Sequence, residues 1–256
     1  MIRIAIYGKG GIGKSTTAAN VAAALAQKGL KVMQIGCDPK ADSTILLRGK
    51  EPLKTVLELV RDRGNDFTLE EMVRVGFAGV ICVEAGGPTP GMGCAGRGII
   101  AALEKLKEKG AYEVYQPDIV LYDVLGDVVC GGFTMPMRPG YAEKVFVVTS
   151  GENMSIHAAA NIAMAVENFR SRGYAAFGGL ILNRRNVTNE DAKTAELAED
   201  IHSRVIGSLN RSDVVLQAEE LGQTVLRAFP DHPMAEEYRT LAEAILTVCN
   251  YEEKSA

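Results

Sequence analysis

The chain lacks an excess of basic charge: 28 Lys and Arg face 32 Asp and Glu, for a formal net charge of −4 over 256 residues. Duplex binding usually calls for a basic face, so no nucleic-acid partner is expected. No apolar run approaches the roughly 18 residues of a membrane span. The opening MIRIAIYGKG has no basic segment followed by an adequate apolar stretch, so neither a membrane association nor a secretory signal is indicated and a cytoplasmic protein is expected. Cysteine is sparse and odd in number: Cys37, Cys82, Cys94, Cys130 and Cys249, with no Cys-x-x-Cys pair. That pattern argues against a disulfide framework and leaves metal binding or plain burial. Internal repeats, low-complexity segments and linkers are also lacking. One domain over residues 1–256 is therefore expected, with a short flexible tail at 247–256.

What is present is an alternation of apolar runs and helical patterns. IRIAIY, KVMQIG, GVICVE, DIVLYDV, KVFVVTS, GGLILN and RVIGSL read as strands. Helical segments are expected at 15–29, 53–62, 99–110, 155–171, 190–203 and 233–248, and TLEEMV opens on a capping-box pattern from Thr68 to Glu71. Strands alternating with helices imply an α/β fold, a doubly wound and mostly parallel sheet. Continuous apolar strands fit a sheet covered on both faces.

YGKGGIGKST carries the chemistry. Gly8, Gly13, Lys14 and Ser15 meet the P-loop pattern Gly-x-x-x-x-Gly-Lys-Ser/Thr, between a strand and a helix. Such a turn offers backbone N–H groups and a helix N-terminus to phosphates; Lys14 reaches the phosphates and Ser15 a Mg²⁺ ion. IVLYD places Asp123 at a strand end where a magnesium-associated carboxylate belongs, and DVLG reads as a nucleotide-sensing switch. Asp38 and Asp42 follow the second strand, where ligand chemistry gathers in open α/β sheets; Asp42 is also a candidate helix cap. Lys9 is surplus to the pattern, either a solvated surface lysine or a second cation for the phosphates.

Cys94 in GMGCAGRG and Cys130 in VVCGGF have glycine-rich surroundings that let backbone N–H groups approach sulfur. A [4Fe-4S] cluster usually needs four thiolates, which two chains about a two-fold axis would supply. Spacing alone leaves ordinary buried cysteines open for this pair. Cys37, Cys82 and Cys249 sit on apolar strands and a helix face and read as buried.

YGKGGIGKSTT, GCDPKADST, GGPTPGMGCAGRG and YDVLGDVVCGGFTMPMR closely resemble the iron protein of nitrogenase and its relatives, strongly over residues 1–185. The resemblance implies a homodimeric P-loop NTPase of the signature-lysine type, with one [4Fe-4S] cluster per dimer and MgATP or MgADP in each subunit. It implies electron transfer, one electron at a time, from a ferredoxin or flavodoxin to a larger nitrogenase-like catalytic protein. Cys94 and Cys130 match the cluster ligands. Gly8, Gly10, Gly11, Ile12, Gly13, Lys14, Ser15 and Thr16 match the phosphate loop, Asp38 and Asp42 the first switch, and Asp123 and Asp127 the second. Asp127 matches the residue that orients water and Asn183 an adenine contact. Arg97 matches an arginine beside the cluster on the docking face, and Phe133 an aromatic near the cluster. Lys9 matches the signature lysine that reaches the other subunit's nucleotide.

The resemblance departs at Asn210–Asp213, where NRSD replaces the family's PRDN, and at the short C-terminal end. It leaves nitrogenase, the nickel-tetrapyrrole cyclase reductase and reductases of carbon–sulfur bonds undivided. A non-redox signature-lysine ATPase switch is the rival from another class.

Overall fold

The computed structural model describes residues 1–87, 95–126 and 134–251. Its centre is a sheet of eight strands in the order β3-β4-β2-β5-β1-β6-β7-β8. The strands are β1 Ile2–Gly8, β2 Val32–Cys37, β3 Arg74–Val75, β4 Ile81–Glu84, β5 Ile119–Val124, β6 Lys144–Thr149, β7 Ala176–Asn183 and β8 Val205–Leu209. All pairs run parallel except β3 with β4. β5 is buried at every position, as a strand covered on both faces requires.

Alternate residues feed two cores. Ala5, Tyr7, Val120 and Tyr122 face one layer, formed by α3 (Val56–Arg63), α4 (Ala95–Glu108), α5 (Ala111–Tyr115), α6 (Asn153–Arg170) and α7 (Glu190–Asp200). Ile4, Ile6, Ile119 and Leu121 face the other. That layer holds α1 (Lys14–Gln27), α2 (Ile45–Arg48), α8 (Asp213–Glu220), α9 (Val225–Ala228) and α10 (Pro233–Val248). α1 is alanine-rich and buried continuously from Thr17 to Leu25. Small side chains let it lie close between the sheet and α10, the arrangement of a helix buried nearly all round.

The expected strands and principal helices form, within a few residues of the ends read from sequence. TLEEMV does not form a helix: residues 68–73 make a turn in which Thr68 N–H donates to Glu71 Oε2 at 2.9 Å. Leu69, Met72 and Val73 bury directly into the core from this short connection. The complete capping box is at Thr55 and Glu58, opening α3. α2, α5, α8 and α9 were not expected; at four to eight residues they are too short to show a helical period. The expected tail at 247–256 overlaps the end of α10, and residues 252–256 lie outside the described residues. α10 runs to Val248, and Tyr251 packs against the core below it.

Candidate functional site

β1 lies between β5 and β6, where the chain's crossovers change direction. The carboxyl ends of the strands beside such a point form the ligand crevice of an open α/β sheet. The P-loop leaves β1 there. Gly13 caps α1 at φ 90°, a left-handed conformation that excludes most side chains, and a Cβ there would lie 2.5 Å from Asn183 Nδ2. That Nδ2 instead donates to the Ile12 carbonyl at 2.7 Å. Arg185 Nη2 donates to the Gly11 carbonyl at 2.8 Å. The end of β7 thus holds the loop while α1 leaves the N–H groups of its first turn unused by the helix itself.

Lys14 is buried. Its Nζ donates to Asp123 Oδ1 at 2.7 Å and to Ser15 Oγ at 3.4 Å. Asp123 Oδ2 accepts from Ser43 Oγ at 2.6 Å. Gly126 lies hard against the loop: a Cβ there would come 2.1 Å from the Gly8 carbonyl oxygen and 2.8 Å from Gly10 N.

These elements enclose an open cleft of about 660 Å³. Lys9, Gly10, Gly11, Gly13, Lys14, Ser15, Thr16, Asp38, Asp42 and Asn183 all line it. Gly8 and Ile12 are buried behind the loop. Asp42 does not cap α2 with its side chain; Thr44 takes the cap position and Asp42 is exposed. Lys9 also lines a smaller recess with Glu152, Met154 and Lys193. Arg97 is exposed on the first turn of α4. Cys94, Asp127, Cys130 and Phe133 lie outside the described residues.

The cleft also contains residues that the sequence did not single out. Lys40, Arg184, Arg185 and Arg211 join Lys9 and Lys14, making six cationic side chains against Asp38, Asp42, Asp213 and Glu219 among the described residues. Arg184 is paired with Asp191 at 2.6 Å. An RR pair directly after the apolar GGLILN is the signal that points to a strand-end anion site. Asn210, in the departing NRSD stretch, lines the cleft and is held by Glu237: its N–H and Nδ2 donate to that carboxylate, each at 2.7 Å.

The family model for 4Fe-4S iron–sulfur cluster binding proteins, the NifH/frxC family, matches residues 2–251. The chain belongs to this iron-protein family. The nitrogenase iron protein of Methanospirillum hungatei JF-1 is 51% identical over 250 residues, covering 96% of this chain and 88% of that protein. Among solved structures, the cell division ATPase MinD of Pyrococcus furiosus aligns with a TM-score of 0.74 at 20% identity, over 97% of this chain and 100% of that one. The septum site-determining protein MinD of Pyrococcus horikoshii, complexed with Mg-ADP, gives 0.74 at 22% identity, over 97% and 98%. Those two likenesses concern the fold, a P-loop ATPase architecture.

The iron-protein residues fit a magnesium nucleotide: the loop has room for phosphates, the cleft is cationic in an acidic chain, and Ser15 and Asp123 offer oxygen donors beside Lys14. For the cluster, three cysteines are set aside by their surroundings. Cys37 and Cys82 are buried. Burial, with Asp123 and Glu84 nearby, pushes the Cys37 thiol far up, and burial raises Cys82 to about 12. Cys249 is raised to about 11 by burial. Cys37 and Cys82 lie inside the two cores, away from any surface that a second protomer could share.

Proposed function

We propose that this iron-protein family member is a homodimeric, ATP-dependent electron donor to a larger nitrogenase-like catalytic protein. The observation that carries the reading is the cationic P-loop cleft joined through Asp123 to the segment that leads to Cys130. Lys14 is ion-paired with Asp123 at 2.7 Å. A triphosphate in the cleft would accept from the first-turn N–H groups of α1 and would compete with Asp123 for the Lys14 ammonium. Ser15 and Asp123 would hold the magnesium that accompanies it. Asp38 and Asp127 are the carboxylates assigned to orient the attacking water, with Asp42 at the first switch. Lys9 is assigned to the partner protomer's phosphates, a cation supplied only when two protomers close, and so couples hydrolysis to dimer closure. Cys94 and Cys130 from each protomer would hold one [4Fe-4S] cluster per dimer, which when bound supplies one-electron reduction. Arg97 and Phe133 are assigned to the docking face around it. Residues 1–256 act as one domain, and a ferredoxin or flavodoxin is the expected upstream donor.

The test is anaerobic purification, reduction, iron analysis and EPR with and without MgATP. About four irons per dimer and a reduced-cluster signal that responds to MgATP support the reading. An iron-free dimer that still hydrolyses ATP after reconstitution overturns it and favours the non-redox switch.

A further inference from the structure

Glu84, the last residue of β4, is wholly buried and takes no part in the nucleotide chemistry described above. Its Oε1 accepts from the Thr44 N–H at 2.7 Å and from the Thr44 hydroxyl at 2.6 Å. Its Oε2 has no partner among the described residues. Buried polar atoms are nearly always satisfied, so a bare carboxylate oxygen asks for a reason. The fold makes room for it at Gly36 of β2, where a Cβ would come 2.0 Å from Oε2 and 2.6 Å from Ser43 Cβ. Gln34, two residues earlier on the same strand, donates to both the carbonyl and the hydroxyl oxygen of Ser43, each at 3.0 Å. Thus Thr44 is held by Glu84, and its neighbour Ser43 is held by Gln34 and Asp123.

We propose that Glu84 is a positioning residue for the metal side of the nucleotide site, acting through Thr44 and Ser43 on Asp123. The inference rests on the nucleotide reading of the cleft. Thr44 and Ser43 directly follow Asp42, so a fixed Thr44 sets where the first switch presents its carboxylates and how Ser43 meets Asp123. The charge on Glu84 matters because a carboxylate accepts both Thr44 bonds more strongly than a neutral acid does. Burial raises its carboxyl to about 7, opposed by the two Thr44 bonds and by Arg48 of α2, and reinforced by Asp123 of β5. The other titratable groups facing it are the thiols of Cys37 on β2 and Cys82 on β4, both held neutral by burial. The hold on Thr44 is therefore firm above neutral pH and relaxed below it.

The test compares the wild-type protein with Glu84→Gln and Thr44→Val, using ADP alone and ADP with Mn²⁺ read by EPR, from pH 6 to 8. An amide accepts both Thr44 bonds without charge. Glu84→Gln is expected to bind Mn²⁺–ADP about tenfold more weakly than wild type at pH 8 and alike at pH 6, with metal-free ADP affinity unchanged within twofold. Any titration of the ligand itself appears equally in both proteins. Thr44→Val is expected to lose metal-dependent affinity in the same direction, and its effect and that of Glu84→Gln should not add. If Glu84→Gln does not fold, Thr44→Val decides: metal-selective loss supports the proposal and none overturns it. Equal losses with and without metal, or variants that match wild type at pH 8, overturn it alone. A wild-type protein that binds no Mn²⁺–ADP overturns the nucleotide reading and this inference with it.

Discussion

Replacing Lys14 by methionine removes the cation but keeps most of the side-chain bulk. Asp123, with none of its side chain exposed, would retain, among the described residues, the Ser43 hydroxyl. Breaking a buried pair from one side typically costs about 3–5 kcal/mol, because the surviving charge has lost both water and partner. For a domain of this size that lowers the melting temperature by roughly 10 °C. Asp123→Asn should cost less, about 1–2 kcal/mol, because Lys14 lines the cleft and can turn its ammonium into water. The double variant has no buried charge to strand, so the single effects should fail to add by at least about 2 kcal/mol. Urea unfolding of all four proteins, with equal m-values confirming comparable unfolded states, measures this. Single costs below about 1 kcal/mol that simply add would refute the latch between Lys14 and Asp123. MgADP at a hundred times its dissociation constant should stabilise the wild type by about 2.7 kcal/mol and Lys14→Met far less.

Gly126→Ala places a Cβ against the P-loop backbone, 2.1 Å from the Gly8 carbonyl oxygen and 2.8 Å from Gly10 N. It should cost about 2–3 kcal/mol and weaken MgADP at least tenfold by calorimetry, and wild-type affinity would remove the contact from the argument. Glu84 gives a pH signature in stability. Its folded carboxyl is raised from 4.5 to about 7, so the folded chain keeps a proton the unfolded chain has released. That stabilisation is complete below pH 4.5 and is lost as pH rises through 7, a loss of about 3 kcal/mol that Glu84→Gln should lack. Identical slopes for both proteins between pH 5 and 8 would show that the acid is not held neutral by the fold. Cys37→Ala and Cys82→Ala should keep the full iron content, whereas Cys94→Ala and Cys130→Ala should lose it; iron loss from either of the first pair would break the ligand assignment.

The P-loop was legible because its chemistry is local. The glycine-rich Lys9–Gly13 favours a turn, and the strand and helix patterns on either side placed that turn correctly. The helix near 233–248 was legible, and it forms with Pro233 in its first turn and Tyr238, Leu241, Ala242 and Ile245 buried along one face. TLEEMV misled for the opposite reason. A cap signal is only a local preference, and the burial of Leu69, Met72 and Val73 in a short connection prevailed over it. The Lys14–Asp123 latch joins residues 109 positions apart, so each was recognisable alone while their pairing was not. Nothing in VICVE distinguishes Glu84 from an exposed strand end.

The contacts that escaped the sequence are the ones that join its motifs. Ser43 touches Asp123 at the end of β5, and Thr44 touches Glu84 at the end of β4. One dipeptide beside the cleft therefore bridges two strand ends that are not neighbours, with β2 between them. Along the chain β5 continues to Cys130, seven residues beyond Asp123, and β4 continues to Cys94, ten beyond Glu84. Each cysteine assigned to the cluster thus follows a strand whose last acid is bonded to the first switch. A displacement of Ser43 and Thr44 by nucleotide acts on both acids together, whereas a route through the second switch alone would act only on the strand that leads to Cys130. Thr44→Val at saturating MgATP discriminates between them: on the two-strand arrangement it blunts the response of the cluster EPR signal while leaving the Lys14–Asp123 bond intact, and on the single route the saturated response is unchanged.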